Sequence, residues 1–347
     1  MSIDTGSAVR STLEAREAAL APSAAREATS AGRERPEPPQ PLRLAYQLDR
    51  DRIIHTRAFR RLKHKTQVFI APDSDHVVTR MTHTIEVQQV ARTIARALNL
   101  NEDLTEAAAL GHDLGHTPFG HAGEEALAEL LADGFRHNEQ SLRIVELLEN
   151  DGAGLNLTIE TREAMLKHSK VRESIASEAW GSASTFEGQI VKLADSIAYL
   201  NHDIQDAVRA GMLIESDLPA EALRRLGTDH STRLDTLISD CVSTSASAVD
   251  VGDPSSQGIA LSAAVLAATD LLREYLFDRV YLAEPTVSQA QKGQTIVRAL
   301  FRHYEAHPET IPGWSLVSDP PSRRAADYVS GMTDPFARRQ ATDLNLI

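Results

Sequence analysis

A single cysteine, Cys241, stands in a chain of 347 residues. One thiol closes no disulfide within a chain and builds no cysteine-based zinc site, and such scarcity suits a reducing compartment. No apolar run approaches the roughly 20 residues that cross a bilayer. The N-terminus mixes Ser, Asp, Ala, Arg and Glu where a signal segment would be apolar. The expected location is therefore cytoplasmic, away from membranes. Positive charge is in short supply: 36 Lys and Arg face 49 Asp and Glu, a net charge of −13. A chain of this sign repels nucleic acid at long range, so extended nucleic-acid binding is not expected. A small anion held by a local basic cluster or a metal is compatible with it. Strand alternation is missing too, as are internal repeats and the glycine-rich phosphate loop that joins a strand to a helix.

What is present is helical. Val77, Val78, Met81, Ile85, Val90, Ile94 and Leu98 recur at three- and four-residue steps, which predicts an amphipathic helix ending near Asn99. Asn101 is a candidate cap for the next, which carries Leu104, Ala107, Ala108 and Leu110. Leu142, Val145, Leu147 and Leu148 belong to another, stopped by Asp151-Gly152, and Ile190 to Leu200 to a further one. Helices are also expected near 259–281 and 285–306. Gly181 to Ser184 and the Ser, Gly and Asp-rich stretch Ser243 to Gln257 read as loops, the second mobile. Leu13, Arg16, Glu17 and Leu20 suit a short helix ahead of Pro36, Pro38, Pro39 and Pro41, a cluster that reads as a linker or extended arm. The expected organisation is all-α: a flexible arm over 1–41, a core over 42–215, and a helical C-terminal region over 216–347 packed on that core. The length is sufficient for a sizeable core.

Chemistry concentrates in histidines and carboxylates. Gly111-His112-Asp113-Leu114-Gly115-His116 closes an Ala-rich helix. Adjacent helical residues point about 100° apart, so His112 and Asp113 meet one ion only where the helix ends, and Gly111 and Gly115 offer the backbone freedom for that. Taken alone, such a pair is more often a polar helix end with a capping Asp. His83 sits in the preceding helix. Asp195 interrupts an otherwise apolar one, where a carboxylate is costly unless paired or bound to a cation. The four form a nitrogen and oxygen set suited to a divalent ion such as Mg, Mn, Fe, Co, Ni or Zn. His121 and Glu124 are three apart, one face of a helix, where a carboxylate fixes an imidazole tautomer and favours its protonated form. Arg80, one turn before His83, either reaches a phosphate oxygen or stands exposed on its helix. Arg50, Arg52, Arg57, Arg60, Arg61, Lys63 and Lys65 make a basic stretch, either a solvated face or a screen for a triphosphate or a regulatory nucleotide.

The pattern His83 … His112-Asp113 … Asp195 resembles the metal signature of the HD phosphohydrolase superfamily. His112 through Glu124 resembles the deoxyguanosine triphosphate triphosphohydrolase (dGTPase) family in particular. So do Arg57-Ala58-Phe59-Arg60-Arg61-Leu62, Lys65-Thr66-Gln67-Val68, Arg80-Met81-Thr82-His83-Thr84 and His137-Asn138-Glu139-Gln140-Ser141. Asp195 to Asp206 also matches, and Asp327 to Asp334 looks like the ending of the shorter dGTPase-like subgroup. The resemblance spans about 42 to 340. It implies an HD-domain helical bundle with additional C-terminal helices, a divalent metal on His83, His112, Asp113 and Asp195, and hydrolysis of a dNTP substrate to deoxynucleoside and tripolyphosphate. By the same resemblance His121 and Glu124 are catalytic beside the scissile phosphate, and His116 and His137 line the phosphate pocket. Gln67 reads the sugar 3′-hydroxyl, Tyr199 packs on the deoxyribose against a 2′-hydroxyl, and Asp203 bonds to the sugar or to phosphate-binding groups. Relatives form homo-oligomers, often hexamers. His116 and His121 are also candidates for a second metal. The alternatives are another HD phosphohydrolase, a 5′-deoxynucleotidase or a phosphodiesterase, or a non-catalytic scaffold that binds nucleotides or nucleic acid.

Overall fold

The computed structural model describes residues 5–68, 78–169, 181–254, 258–312 and 319–347. Fifteen α-helices lie among the described residues, and the extended backbone there amounts to two isolated bridges, Arg33 with Thr158 and Thr66 with Thr79. The fold is all-α, as the periodicities predict. None of these helices is long and apolar enough to cross a membrane.

Chain order sets the layout. α1 (Thr5–Ala18), α2 (Ala45–Ile54) and the short α3 (Arg57–Arg61) lead to α4 (Arg80–Ala97), α5 (Glu102–Gly111), α6 (His121–Leu130), α7 (His137–Arg143) and α8 (Ile159–Lys167). α9 (Phe186–Arg209) is followed by α10 (Ala220–Leu226), α11 (His230–Val251) and α12 (Ala263–Leu276), then α13 (Glu284–Ala306), α14 (Pro321–Ser330) and α15 (Asp334–Asp343). α9 is the axis. α4 and α5 pack along it, α8 flanks it, and α11 and α12 cover it from the C-terminal side. Ile190, Ile197, Leu200 and Ile204 are fully or almost fully buried in the largest core cluster with Val87, Ile94 and Leu272. Truncating one of these to alanine costs about 2–5 kcal/mol. A second core joins α6 to α13, α14 and α15 through Phe119, Leu127, Val297, Leu300 and Val329.

Polar side chains place the helix starts. Thr79 accepts from the Thr82 amide, Asn101 from those of Asp103 and Leu104, and Thr185 from that of Gly188. Each such cap is worth about 1 kcal/mol. α7 runs on as a π-turn over Ile144–Leu148, and the chain breaks at Asn150 and Asp151, both in the left-handed region at φ 53°.

Two expectations change. The stretch from Ser243 is helical up to Val251, as the last part of α11, and Gly252 at φ 83° ends it. Cys241, Ser245, Ala248 and Val249 are buried on one face, so packing overrides the low helix preference of serine and aspartate. Residues 255–257 and Val77 lie outside the described residues. The segment before Leu42, read as a flexible arm, is anchored to the body. Glu17 accepts from Asn101 Nδ2 at 2.9 Å, Ser23 donates to the Val249 carbonyl at 2.8 Å, Ala24 is buried in the main core, and Arg33 pairs with the buried Asp49.

Candidate metal centre

α5 ends at Gly111 and delivers His112 as its C-cap with Asp113 in the following turn. Neither Gly111 nor Gly115 has a positive φ, so backbone freedom is not what they supply. They supply closeness. A Cβ on Gly115 would stand 2.2 Å from the His137 carbonyl oxygen, and one on Gly111 2.7 Å from Met165 Sδ. The unusual backbone comes later, at Phe119 and Gly120 (φ 63° and 59°), where the chain reverses to start α6 at His121.

α4, the end of α5 and α9 bring His83, His112, Asp113 and Asp195 together. His83 Nε2 lies 3.2 Å from Asp195 Oδ1 and 3.9 Å from Asp113 Oδ2, and His112 Nε2 lies 3.4 Å from Asp113 Oδ1. Oxygen and nitrogen ligands bound at about 2.1 Å sit about 3.0–3.4 Å apart, so the His83–Asp195 and His112–Asp113 separations suit a shared cation, and the His83–Asp113 separation is about half an ångström wider. The protonation pattern suits it as well. His112 Nδ1 donates to the Ala109 carbonyl at 2.6 Å, which leaves Nε2 as the nitrogen that faces the cluster; it is buried and has no hydrogen-bond partner. Burial lowers the His83 pKa, which keeps that ring available as a ligand. Burial pushes Asp113 upward, but His112, His116 and Arg80 outweigh it and hold the carboxyl well below its usual range. His83, His112 and Asp113 form a His/Asp cluster that could hold a divalent metal, and Asp195 joins it through its contact with His83.

Arg80 is not exposed. It is buried, and Nη1 donates to Asp113 Oδ2 at 2.8 Å, so it braces a candidate ligand while lining the cavity. The basic stretch also divides. Arg50 pairs with Asp51 and Glu106, Arg52 with Glu37, whereas Arg57, Arg60, Arg61 and Lys63 are exposed. Lys65 is buried, donating to the His116 and Ser330 carbonyls, and burial beside Arg61 and Arg80 pulls it down to about 7.

A histidine network adjoins the cluster. His116 Nε2 meets Asp113 Oδ1 at 3.2 Å, and its ring stacks on His137 at 3.9 Å. Burial and the charges of Arg80 and His137 hold His116 well below its usual pKa. Glu124 accepts from His121 Nδ1 at 3.0 Å and from the backbone amide and Nδ1 of His137 at 2.8 and 2.9 Å. Burial raises the Glu124 pKa, but those two histidines overcome it and hold the carboxyl well below its usual range. His168 completes the network. Its Nδ1 donates to the Met165 carbonyl, so its Nε2, 3.2 Å from His137 Nε2, accepts. His137 therefore donates from both nitrogens and is an imidazolium. Its pKa is accordingly raised: burial opposes the charge, and Glu124 prevails. Burial, with His112 and His137 nearby, takes His168 down to about 3. His121 is the exposed member, 67% accessible.

These groups open on a cavity of about 730 Å³ that Gln67, Tyr199 and Asp203 also line. The far wall comes from the C-terminal helices: Arg273, Phe277, Tyr281, Val287, Gln291 and Gln294. Sequence reasoning missed His168, Arg273 and Tyr281. His168 merely ends α8, and the other two lie in regions with no local motif, so nothing short of packing reveals them. His202 stands inside a motif quoted above, without a role of its own.

Residues 80–200 match the HD domain and residues 259–343 the phosphohydrolase-associated domain. A deoxyguanosinetriphosphate triphosphohydrolase-like protein of Caldanaerobacter subterraneus is 48% identical over 92% of this chain and 90% of its own. Proteins of the same description from Clostridium perfringens and Bordetella pertussis are 45% and 41% identical, over 90% and 89% of this chain and 90% and 92% of theirs. The chain belongs to the dGTPase-like family of HD-domain proteins. All four candidate ligands fall within the HD match, and Arg273, Phe277 and Tyr281 within the associated domain. In this dGTPase-like protein the cavity is thus shared by both. The Asp327 to Asp334 ending braces the site from behind: Asp334 accepts from the Thr66 side chain and the Phe119 amide, and Asp327 from Arg143 and Gln140.

Proposed function

We propose that the protein hydrolyses deoxynucleoside triphosphates to deoxynucleoside and tripolyphosphate, with a divalent cation on His83, His112, Asp113 and Asp195. The observation that carries this reading is the shared cavity. Three of the four candidate ligands line the same space, of nucleotide size, as Gln67, Tyr199 and Asp203. A bound cation would offset phosphate charge and acidify a water. The chain's own groups do the rest. Arg80, the His137 imidazolium and Arg273 set positive charge against the phosphates. Glu124 holds one ring nitrogen of His121 and leaves Nε2 for the substrate. His121, carrying a proton on each ring nitrogen, gives the one on Nε2 to the departing 5′-oxygen as a water oxygen bonds to the α-phosphorus and the P–O5′ bond breaks; the water's displaced proton passes to solvent, from which His121 is reprotonated, and a deoxynucleoside and tripolyphosphate leave. The Tyr199 ring packs on the deoxyribose where a 2′-hydroxyl would stand, and Gln67 and Asp203 bond the sugar.

The deciding experiment incubates the protein with each deoxynucleoside triphosphate, singly and mixed, with Mg, Mn or Co, and separates the products by ion-exchange chromatography. Tripolyphosphate is expected. Orthophosphate as the sole phosphorus product of triphosphates or monophosphates assigns a different HD phosphohydrolase reaction, and no turnover of any substrate leaves a binding protein.

A further inference from the structure

Behind His83 lies His202, which the proposed reaction does not use, and next to it Asp203, which that reaction assigns to the sugar. His202 Nε2 is 2.9 Å from His83 Nδ1, and His202 Nδ1 is 2.8 Å from Asp203 Oδ1. The other Asp203 oxygen accepts from Tyr281 Oη, which reaches across from the C-terminal helices. His83, His202 and Asp203 are each about 1% accessible.

The direction of the bonds follows from the metal-facing atom. His83 turns Nε2 toward Asp195 and Asp113. A ring that ligates through Nε2 carries its proton on Nδ1 and must hand it to an acceptor. His202 accepts at Nε2 only as the neutral tautomer protonated on Nδ1, and the negative charge of Asp203, 2.8 Å from that nitrogen but without hydrogen-bond geometry, favours a proton there. Tyr281 holds the far oxygen and so orients the carboxylate. Asp195 and His202 are seven residues apart on α9, two turns along one face. One rigid helix therefore carries a candidate ligand and the group that sets the tautomer of another.

We propose that His202, backed by Asp203, is a positioning residue that holds His83 in its metal-binding tautomer and orientation, an inference that rests on the metal reading above. A histidine that only fills the core would affect stability and leave the coordination sphere alone. The test uses Co²⁺ and the full-length chain without nucleotide, reading affinity by competition and coordination by visible absorption. His202→Leu removes the acceptor and weakens Co²⁺ binding by about 10- to 100-fold, the range typical of residues behind a ligand, with an altered absorption band. His202→Gln places an amide oxygen near the position of Nε2 and restores most of the affinity and the wild-type band. If the leucine variant does not fold, His202→Asn, whose amide ends short of that position, replaces it in the comparison. Folded Leu or Asn variants that bind Co²⁺ like the wild type overturn the positioning role, as does a Gln variant no better than they are. A wild-type protein that takes up no Co²⁺ overturns the metal reading and this inference together, whereas metal uptake without triphosphate hydrolysis overturns only the proposed reaction.

Discussion

At the scale of single residues, the site separates side chains that the sequence presents as equals. His112 has one nitrogen committed to a carbonyl and the other bare, whereas His137 has both nitrogens donating. The first is a candidate ligand and the second a buried cation. His112→Ala is expected to abolish bound metal and turnover together, measured by elemental analysis and product assay; a variant that keeps both would remove the proposed centre. His121→Ala, which leaves the four ligands intact, should keep its metal and lose about 10²- to 10⁴-fold in kcat. Glu124 and His137 also give the protein a pH signature. The Glu124 carboxyl is depressed, so its contribution is present above the ordinary carboxyl value of 4.5 and lost on acidification through its lowered pKa. His137 is raised, so its contribution is present below the ordinary imidazole value of 6.5 and lost as pH climbs through its elevated pKa. The pair is therefore at full strength between pH 4.5 and 6.5. In that window Glu124→Gln should lower unfolding free energy by about 2 kcal/mol, and the gap from wild type should narrow toward alkaline pH. Thermal melts across pH check this, and a gap that does not change with pH would contradict the assignment of His137 as a cation.

At the scale of elements, helix identity was legible and helix limits less so. The repeats of Val, Ile and Leu in α4 and α9, and the Asn101 cap of α5, act through local spacing, which a sequence displays directly. The serine-rich end of α11 is helical because Ser245, Ala248 and Val249 find partners far along the chain, and no window of local sequence holds that information. Gly115 is a similar case. It looked like a hinge, but its role is to let α7 approach the His112-Asp113 turn, where the Gly115 amide also bonds Ser141 Oγ at 2.8 Å. Gly115→Ala should cost about 1–3 kcal/mol of stability through overpacking and push His137 out of place. Denaturant melts together with the activity assay test it. Wild-type stability in that variant would mean that α7 yields easily.

At the scale of the whole molecule, the cavity needs residues from both the HD match and the associated domain. α4, α5 and α9 hold the candidate ligands, α6 and α7 the Glu124 network, and α12 and α13 the opposite wall with Arg273 and Gln291. A cation that binds only the folded protein stabilises it by mass action, about 4 kcal/mol at a thousandfold excess over its Kd. Chelation should therefore lower Tm, and Mn²⁺ or Co²⁺ should restore it in the wild type but not in His112→Ala. Identical melting of stripped and loaded protein would argue against a metal joining these helices.

The sequence by itself determined the helical class and the residues that qualify as ligands. Periodicity, capping and donor chemistry are local properties, and the ordered motifs from Arg57 to Asp206 carry the family likeness. Only the tertiary structure decided which way those groups are protonated and what stands behind them. It placed Arg80, open in the sequence between a phosphate contact and an exposed helix position, as a buried brace on Asp113, and it brought His168 to His137 and Tyr281 to Asp203. Those outcomes depend on burial and on contacts between residues dozens to hundreds of positions apart, because removing a charge from water and fixing a tautomer are effects of the folded interior.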